Sequence, residues 1–189
     1  MAQDGSGANG LGSGPSADAA RLLPTLHTWM ASPLGPILLV SNGDALTGLY
    51  LEGSRHAPKV DPSWRQDDRW FDPVREQLEA YFAGDQRPFS LPLAPAGTEF
   101  QRRVWTVLRA IPYGDTMSYG GLAALVGNSR ASRAVGLANG RNPIAIIIPC
   151  HRVIGHDGAL TGYGSGIEKK AWLLRHERAG GATLPERLG

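Results

Sequence analysis

Short apolar runs separated by turn residues occupy the chain from residue 27 to residue 51. The runs at residues 27–30, 37–40 and 45–51 are divided by a Ser-Pro-Leu-Gly-Pro segment and by an Asn-Gly-Asp segment. Glycine, proline and asparagine in such positions are typical of tight turns between antiparallel strands. The pattern therefore predicts a small antiparallel β-sheet.

A helix is predicted after a polar, proline- and aspartate-rich linker at residues 52–69. Asp72 is expected to cap this helix, and Gly84 to end it. Its apolar positions share one face at helical spacing. They are Val74, Leu78, Tyr81 and Phe82. Three prolines in residues 87–96 predict an extended connector. Sheet, helix and connector together predict an N-terminal α/β domain at residues 23–95.

The second half of the chain shows helical spacing of its apolar residues. Thr98 with Gln101 three residues later has the form of a capping box at the start of a helix. Ser118 is expected to begin a second helix, and Ser129 or Arg130 a third. Two short helices joined by a glycine-containing turn have the proportions of a helix-turn-helix. Many helix pairs share these proportions, so DNA binding and ordinary packing both fit.

The third predicted helix carries small residues at Ala131, Ala134, Gly136 and Ala138. A glycine inside a helix costs about 1 kcal/mol relative to alanine. Close approach of another helix or of a nucleic-acid backbone would offset this cost. Arg133 is the single long cationic side chain in the row. The alternative is tight helix packing with Arg133 pointing to solvent.

Isoleucine and alanine fill residues 144–148, which predicts a buried strand that runs directly into Cys150 and His151. A lone cysteine is more often inert than nucleophilic. The end of a strand, however, is where a rigid scaffold presents reactive groups. Sequence neighbours do not face each other, so His151 would act on Cys150 through a turn or a water molecule. Glu177, in a predicted helix at residues 167–179, is either a solvated charge or a buried partner of His151.

Composition excludes several classes of protein. The chain has 189 residues, a net charge of +2 and one cysteine. No apolar run approaches the ~20 residues of a membrane-spanning helix, and the start of the chain lacks the features of a secretory signal. One cysteine excludes an internal disulfide framework and a multi-cysteine zinc site. We expect a cytoplasmic protein with a flexible tail at residues 1–22 and a C-terminal tail at residues 182–189.

The charge is unevenly divided along the chain. Residues 97–180 carry eleven Lys and Arg against five Asp and Glu, whereas the remainder carries eight against twelve. A basic C-terminal half suits a surface that binds nucleic-acid phosphates. A solvated charged face explains the same asymmetry.

One constellation of short motifs is more specific than these patterns. It consists of Pro149-Cys150-His151-Arg152, Asn142-Pro143 before it, Ser118-Tyr119 upstream and Gly162-Tyr163 downstream. At consistent spacing over residues 100–177, it resembles the O6-alkylguanine-DNA alkyltransferase family, most closely the bacterial methylated-DNA–protein-cysteine methyltransferases. The resemblance implies an α/β protein: a ribonuclease H-like N-terminal domain, and a mainly helical, winged-helix-like C-terminal domain with the helix-turn-helix at residues 96–181.

The resemblance also implies a single-turnover transfer of the alkyl group from O6-alkylguanine to Cys150 by SN2 displacement. His151 would take the thiol proton through a water molecule, and Glu177 would hold the imidazole. Asn142 would anchor the turn around the cysteine. Tyr119 would offer a hydrogen bond or proton to the departing guanine.

The DNA-binding residues implied by the resemblance lie in and before the third helix. Arg133 would enter the gap left by a base that is flipped out of the duplex. Ala134 and Gly136 would allow a close fit in the minor groove. Gly120 and Asn128 match positions near the phosphate backbone. Such contacts carry little sequence information, as suits a protein that must find a lesion anywhere.

Two further residues are implied to line the base pocket. Tyr163 would form part of its flexible lip, and Lys170 would favour negative charge nearby, although a solvated lysine is the simpler interpretation. We expect no cofactor, because the alkyl group comes from the DNA, and no metal, because the zinc site of some relatives needs further cysteines. The implied partner is double-stranded DNA containing O6-alkylguanine, with O4-alkylthymine as a second candidate. We expect a monomer in solution, and cooperative binding to DNA stays open.

Other functions remain to be weighed against this one. Alkyltransferase-like proteins bind the lesion without repairing it, but they replace the cysteine that is present here. A hydrolase using Cys150, His151 and Glu177 would leave the helix-turn-helix without a purpose. A transcription factor would leave those three residues without one.

Overall fold

The predicted antiparallel meander is confirmed. In the computed structural model, which describes residues 24–181, β1 (Leu26–Met30), β2 (Ile37–Ser41) and β3 (Leu46–Leu51) pair antiparallel. The short β4 (Arg65–Gln66) pairs in parallel with β1, which gives the order β3-β2-β1-β4. The two predicted tails lie outside the described residues.

The prediction of a plain linker at residues 52–69 is wrong at β4. The amide of Arg65 donates to the carbonyl of Thr25 over 2.9 Å, and that of Asp67 donates to the carbonyl of His27 over 3.2 Å. These bonds satisfy backbone groups on the free edge of β1, which would otherwise lack partners. Two polar residues give no periodic signal, so the sequence does not reveal this strand.

The first helix, α1 (Asp72–Phe82), begins differently from the prediction. A single-turn 3-10 helix, Arg69–Phe71, leads directly into it, so Phe71 occupies the N-cap position and Asp72 lies in the first turn. The prediction of Asp72 as the cap is therefore wrong. A carboxylate in the first turn still interacts favourably with the helix dipole.

The C-terminal half is mainly helical. Its elements are α2 (Glu99–Leu108), β5 (Met117–Ser118), α3 (Tyr119–Leu125), α4 (Ser132–Gly140), β6 (Val153–Ile154) and α5 (Ile167–Gly181). Both hydrogen bonds of the Thr98–Gln101 capping box are present, and Ser118 caps α3, as predicted. The parallel pair β5 and β6 was not predicted.

Helix α4 begins at Ser132 rather than at Ser129 or Arg130. The side-chain oxygen of Asn128 accepts from the amide of Arg130 over 3.1 Å, and its carbonyl accepts from the amide of Ala131 over 2.9 Å. Asn128 thus holds a turn between α3 and α4, because its side chain competes with the helical backbone for the amide of Arg130 and its carbonyl accepts from the amide of Ala131.

The predicted strand at residues 144–148 is wrong, although the segment is buried as predicted. Ile144 forms a single bridge with Leu49, and the chain then coils through tight turns with Ile146 in the left-handed region at φ 68°. A β-branched residue rarely adopts this conformation. Apolar composition indicates burial but does not distinguish an extended segment from a coiled one.

Strand β3 joins the two halves of the protein. The amide of Leu49 donates to the carbonyl of Pro143, and the carbonyl of Leu49 accepts from the amide of Ala145, over 2.9 and 3.1 Å. One continuous apolar core extends from the sheet to the helices. The segment leading to Cys150 is therefore anchored on the N-terminal sheet. Between residues 24 and 181, no helix is long and apolar enough to cross a membrane.

Candidate functional site

Cys150 begins a single-turn 3-10 helix, Cys150–Arg152, at the end of the buried coil. Its thiol accepts a hydrogen bond from Nδ2 of Asn142, with 3.1 Å between Nδ2 and Sγ. The same amide donates to the carbonyl of Ile148 over 2.7 Å, and Nδ2 of Asn139 donates to the carbonyl of Cys150 over 3.2 Å. Two asparagine side chains thus fix the backbone and the sulfur together.

The environment of the thiol acts on its pKa in two directions. Cys150 is only 5% exposed, and this burial raises its pKa because a thiolate is poorly solvated there. The hydrogen bond from Asn142 and the charge of Lys170 lower the pKa and partly oppose burial. The resting group is therefore a thiol, with groups already placed to stabilise the thiolate.

His151 and Glu177 form a fully buried pair. Nε2 of His151 lies 2.8 Å from Oε1 of Glu177, and neither side chain is exposed. Because a carboxylate only accepts, Nε2 carries the proton and the lone pair is on Nδ1. Nδ1 is buried and has no protein partner among the described residues. Burial lowers the pKa of His151, against the effect of Glu177, so the imidazole is neutral and able to accept a proton.

Glu177 is the centre of a buried network. Its two carboxylate oxygens accept from Nε and Nη2 of Arg152 over 2.8 and 2.9 Å, and Tyr81 Oη donates to Oε1 over 2.8 Å. The amide of Gly114 donates to Oε2 over 3.2 Å. Burial alone would raise the pKa of Glu177, but the bonds from His151 and Arg152 outweigh it and hold the pKa well below its usual value. Of the two interpretations open from the sequence, the buried partner is correct.

Arg152 and Tyr81 were not predicted to belong to this network. Arg152 is adjacent to His151 in the sequence, so its position was an available signal. Tyr81 lies 96 residues before Glu177, and its helical spacing indicated only a core residue. The bidentate arginine provides the positive charge that a buried carboxylate requires.

The interpretation of Lys170 as a solvated residue is wrong. Its side chain is fully buried, and Nζ donates to the carbonyls of Val153 and Thr161 over 2.6 and 2.8 Å. Burial lowers its pKa to about 8. Lys170 and Glu177 are seven residues apart, so both lie on the buried face of α5. The ammonium group therefore fixes the backbone at Thr161 and contributes positive charge near Cys150.

Cys150 lines a small recess of about 30 Å³ that shares five residues with a groove of about 810 Å³. The shared residues are His56, Gly140, Gly162, Tyr163 and Gly164. Tyr119, the first residue of α3, lines the groove and donates from its hydroxyl to the carbonyl of Thr161 over 3.1 Å. The hydroxyl of Tyr163 is buried without a hydrogen-bond partner among the described residues. A large groove thus narrows to a small space at the sulfur.

The residues proposed for DNA binding divide into two groups. Arg133 and Gly136 line the groove, and a Cβ at Gly136 would lie 3.7 Å from the ring of Tyr119. Ala134, Gly120 and Asn128 are exposed but lie outside the groove lining. The groove also contains residues that the sequence did not single out. These are Arg55, His56, Leu137 and Arg141, of which Leu137 is 66% exposed.

Two family models match the chain and together cover most of it. Residues 25–95 match the ribonuclease-like domain of 6-O-methylguanine DNA methyltransferase, and residues 99–179 match its DNA binding domain. Both matches fall inside the domain limits 23–95 and 96–181, which stay predictions.

Curated relatives and solved structures are similar over nearly their whole length. Methylated-DNA–protein-cysteine methyltransferases of Methanosarcina acetivorans and Mycobacterium leprae are 52% and 50% identical, over 77% and 79% of this chain and 94% and 90% of theirs. The structure of Mycobacterium tuberculosis OGT in complex with DNA is similar at a TM-score of 0.78 and 48% identity, covering 82% of this chain and 94% of that one. The α/β architecture and the helical C-terminal domain agree with that structure.

Proposed function

Because this chain belongs to the 6-O-methylguanine DNA methyltransferase family, we propose that it repairs O6-alkylguanine in duplex DNA by moving the alkyl group to its own Cys150. Its relatives carry the name methylated-DNA–protein-cysteine methyltransferase, and the chain is accordingly a DNA repair enzyme of this suicide type. One observation carries the assignment of the acceptor. Cys150 is the only cysteine in the sequence, and it lines the recess at the end of the groove.

The proposed reaction is a displacement at the alkyl carbon. The Sγ–C bond forms while the bond from that carbon to O6 breaks, and the bonding electron pair leaves with guanine. The thiol proton passes through a water molecule to Nδ1 of His151, whose Nε2–H is held by Glu177. A thioether has no easy route back to a thiol, so each molecule acts once.

Residues around Cys150 stabilise the negative charges that develop during this step. Asn142 and Lys170 stabilise the thiolate as it forms, because one donates a hydrogen bond to Sγ and the other places positive charge nearby. Tyr119 faces the groove and is the proposed donor to the departing guanine. Its hydroxyl bonds to Thr161 in this structure, so donation to guanine requires that this bond be exchanged.

Base flipping is proposed from the depth of the sulfur. A carbon attached to a base inside a duplex cannot reach a thiol that is 5% exposed, so the nucleotide must leave the stack. Arg133 is exposed on α4 and lines the groove that receives the base. In this proposal, the side chain of Arg133 fills the gap that the flipped base leaves in the duplex. Ala134 and Gly136 lie against the minor groove, and Gly120 and Asn128 lie near the phosphates.

Several finer points belong to this proposal as well. O4-alkylthymine is a second candidate substrate, because it carries its alkyl group on an exocyclic oxygen, as O6-alkylguanine does. A monomeric state in solution and a cytoplasmic location stay predictions from the sequence.

The test is the mass of the intact protein after incubation with a duplex that contains one O6-methylguanine. We expect a gain of one methyl group on Cys150 that saturates at one equivalent. Cys150→Ala should bind the same duplex and gain no mass. Tight lesion binding without a mass gain in the wild-type protein would instead indicate a lesion-binding protein without repair activity.

A further inference from the structure

We propose that the N-terminal domain sets the upper size of the alkyl group that Cys150 accepts, through Tyr50, Ser54 and His56. This inference rests on the proposed function, since it concerns the alkyl group that the cysteine receives. The recess around the sulfur has walls from both halves of the protein. The N-terminal wall consists of Leu49, Tyr50, Ser54 and His56.

The recess beside the sulfur is too small for a long alkyl group. About 30 Å³ suffices for one or two groups the size of a water molecule. A methyl group meets this limit, whereas a butyl chain carries three more methylene groups. The adjoining groove of about 810 Å³ is large enough for the base itself. The space beside the sulfur, not the base site, therefore limits the alkyl group.

The N-terminal wall is fixed to the cysteine segment by its backbone. Leu49 is hydrogen-bonded on both sides, to Pro143 and to Ala145, which leads to Cys150. Tyr50 follows on the same strand, and its ring lies across Gly48, where a Cβ would lie 2.5 Å from the ring. A longer alkyl group that pushes on Tyr50 would therefore displace the ring from its contact with the backbone of Gly48.

The turn after β3 is tied to the opposite wall. The amide of Arg55 donates to the carbonyl of Gly164 over 2.9 Å, the hydroxyls of Ser54 and Ser165 are hydrogen-bonded, and Nζ of Lys169 donates to the carbonyl of Glu52. These contacts close the recess between the two domains. A longer alkyl group must break these contacts or displace a side chain, and forcing extra methylene groups into a filled space is unfavourable.

The test compares transfer rates from duplexes that carry O6-methylguanine or O6-butylguanine, for the wild-type protein, Tyr50→Ala and His56→Ala. We expect the ratio of the butyl rate to the methyl rate to rise by roughly tenfold or more in the variants. Each methylene group that a pocket excludes lowers the relative rate by about that factor. His156→Ala is the matched control, because His156 is exposed and lines neither cavity. It should keep the wild-type ratio.

His56→Ala keeps the test decisive if Tyr50→Ala fails to fold, because His56 is exposed and its loss should leave the core intact. A folded His56→Ala with the wild-type ratio, or with both rates lowered equally, would overturn the size limit. In that case methyl transfer by the wild-type protein would still support the proposed function. Failure of the wild-type protein to gain a methyl group would overturn both.

Discussion

Replacing Glu177 by glutamine should destabilise the protein strongly and slow alkyl transfer. The carboxylate is fully buried and accepts bonds from Arg152, His151, Tyr81 and the amide of Gly114. Glutamine keeps one acceptor oxygen but has an NH2 group in place of the other. That NH2 group would lie against N–H and O–H groups that also donate, so both sides lose a hydrogen bond. The guanidinium of Arg152 also loses its counter-charge while it stays buried.

The expected loss of stability follows from the charge of Arg152, which stays buried without a counter-charge. Removing one partner of a buried ion pair costs roughly 3–5 kcal/mol. For a protein of this size, that corresponds to a fall in Tm of roughly 6–20 °C. The transfer rate should fall by roughly a hundredfold or more, because the imidazole loses the group that fixes its tautomer and stabilises its cation.

The pH dependence has a definite sign. The pKa of Glu177 is lower in the folded protein than its ordinary value of 4.5, so its contribution to stability is complete above that pH. It is lost as the pH falls toward the folded value. The difference in stability between the wild-type protein and Glu177→Gln should therefore be largest near neutral pH and shrink below pH 4.5.

The assay is chemical denaturation for stability and single-turnover methyl transfer for rate. Glu168→Gln is the matched control, since Glu168 is exposed on the same helix. Adding Arg152→Met to Glu177→Gln removes the unpaired buried charge and keeps an acceptor oxygen at residue 177, so the double variant should be more stable than Glu177→Gln alone while transfer stays slow. The reasoning is refuted if Glu177→Gln unfolds like the wild type, or if the double variant is no more stable than the single one.

Three further predictions concern the cysteine and the DNA. Arg133→Ala should slow transfer from duplex DNA but not from the free O6-methylguanine base, because Arg133 acts on base flipping. An equal loss of rate with both substrates would contradict this role. A similar loss in Arg175→Ala, an exposed control, would contradict it as well. Asn142→Ala should shift the pH–rate profile of transfer to higher pH, because the thiolate of Cys150 loses a hydrogen bond, and an unshifted profile would contradict the role. Lys170→Met should slow transfer. As the pH rises from 8 to 10.5, the wild type should also gain stability relative to this variant, since only the unfolded lysine binds a proton in that range. Denaturation at several pH values measures this, and a constant difference in stability would contradict the lowered pKa of Lys170.

Local signals predicted much of the fold. The three strands of the meander, the Thr98–Gln101 capping box and the Ser118 cap each depend on residues within a few positions of one another. The errors arose where a distant or a side-chain contact competed with the local pattern. Strand β4 exists because β1 offers a free edge, and Asn128 delays the start of α4 through its own hydrogen bonds.

By itself, the sequence determined which residues can do the chemistry: one cysteine, the histidine beside it, and the motifs around them. The tertiary structure decided their state. Glu177 and Lys170 are buried because α5 turns one face toward the core, and a buried charge then recruits Arg152 and the distant Tyr81 as partners. The recess depends in the same way on packing between the two domains. Periodicity reports which side of an element is buried, and only the packed chain shows what lies against it.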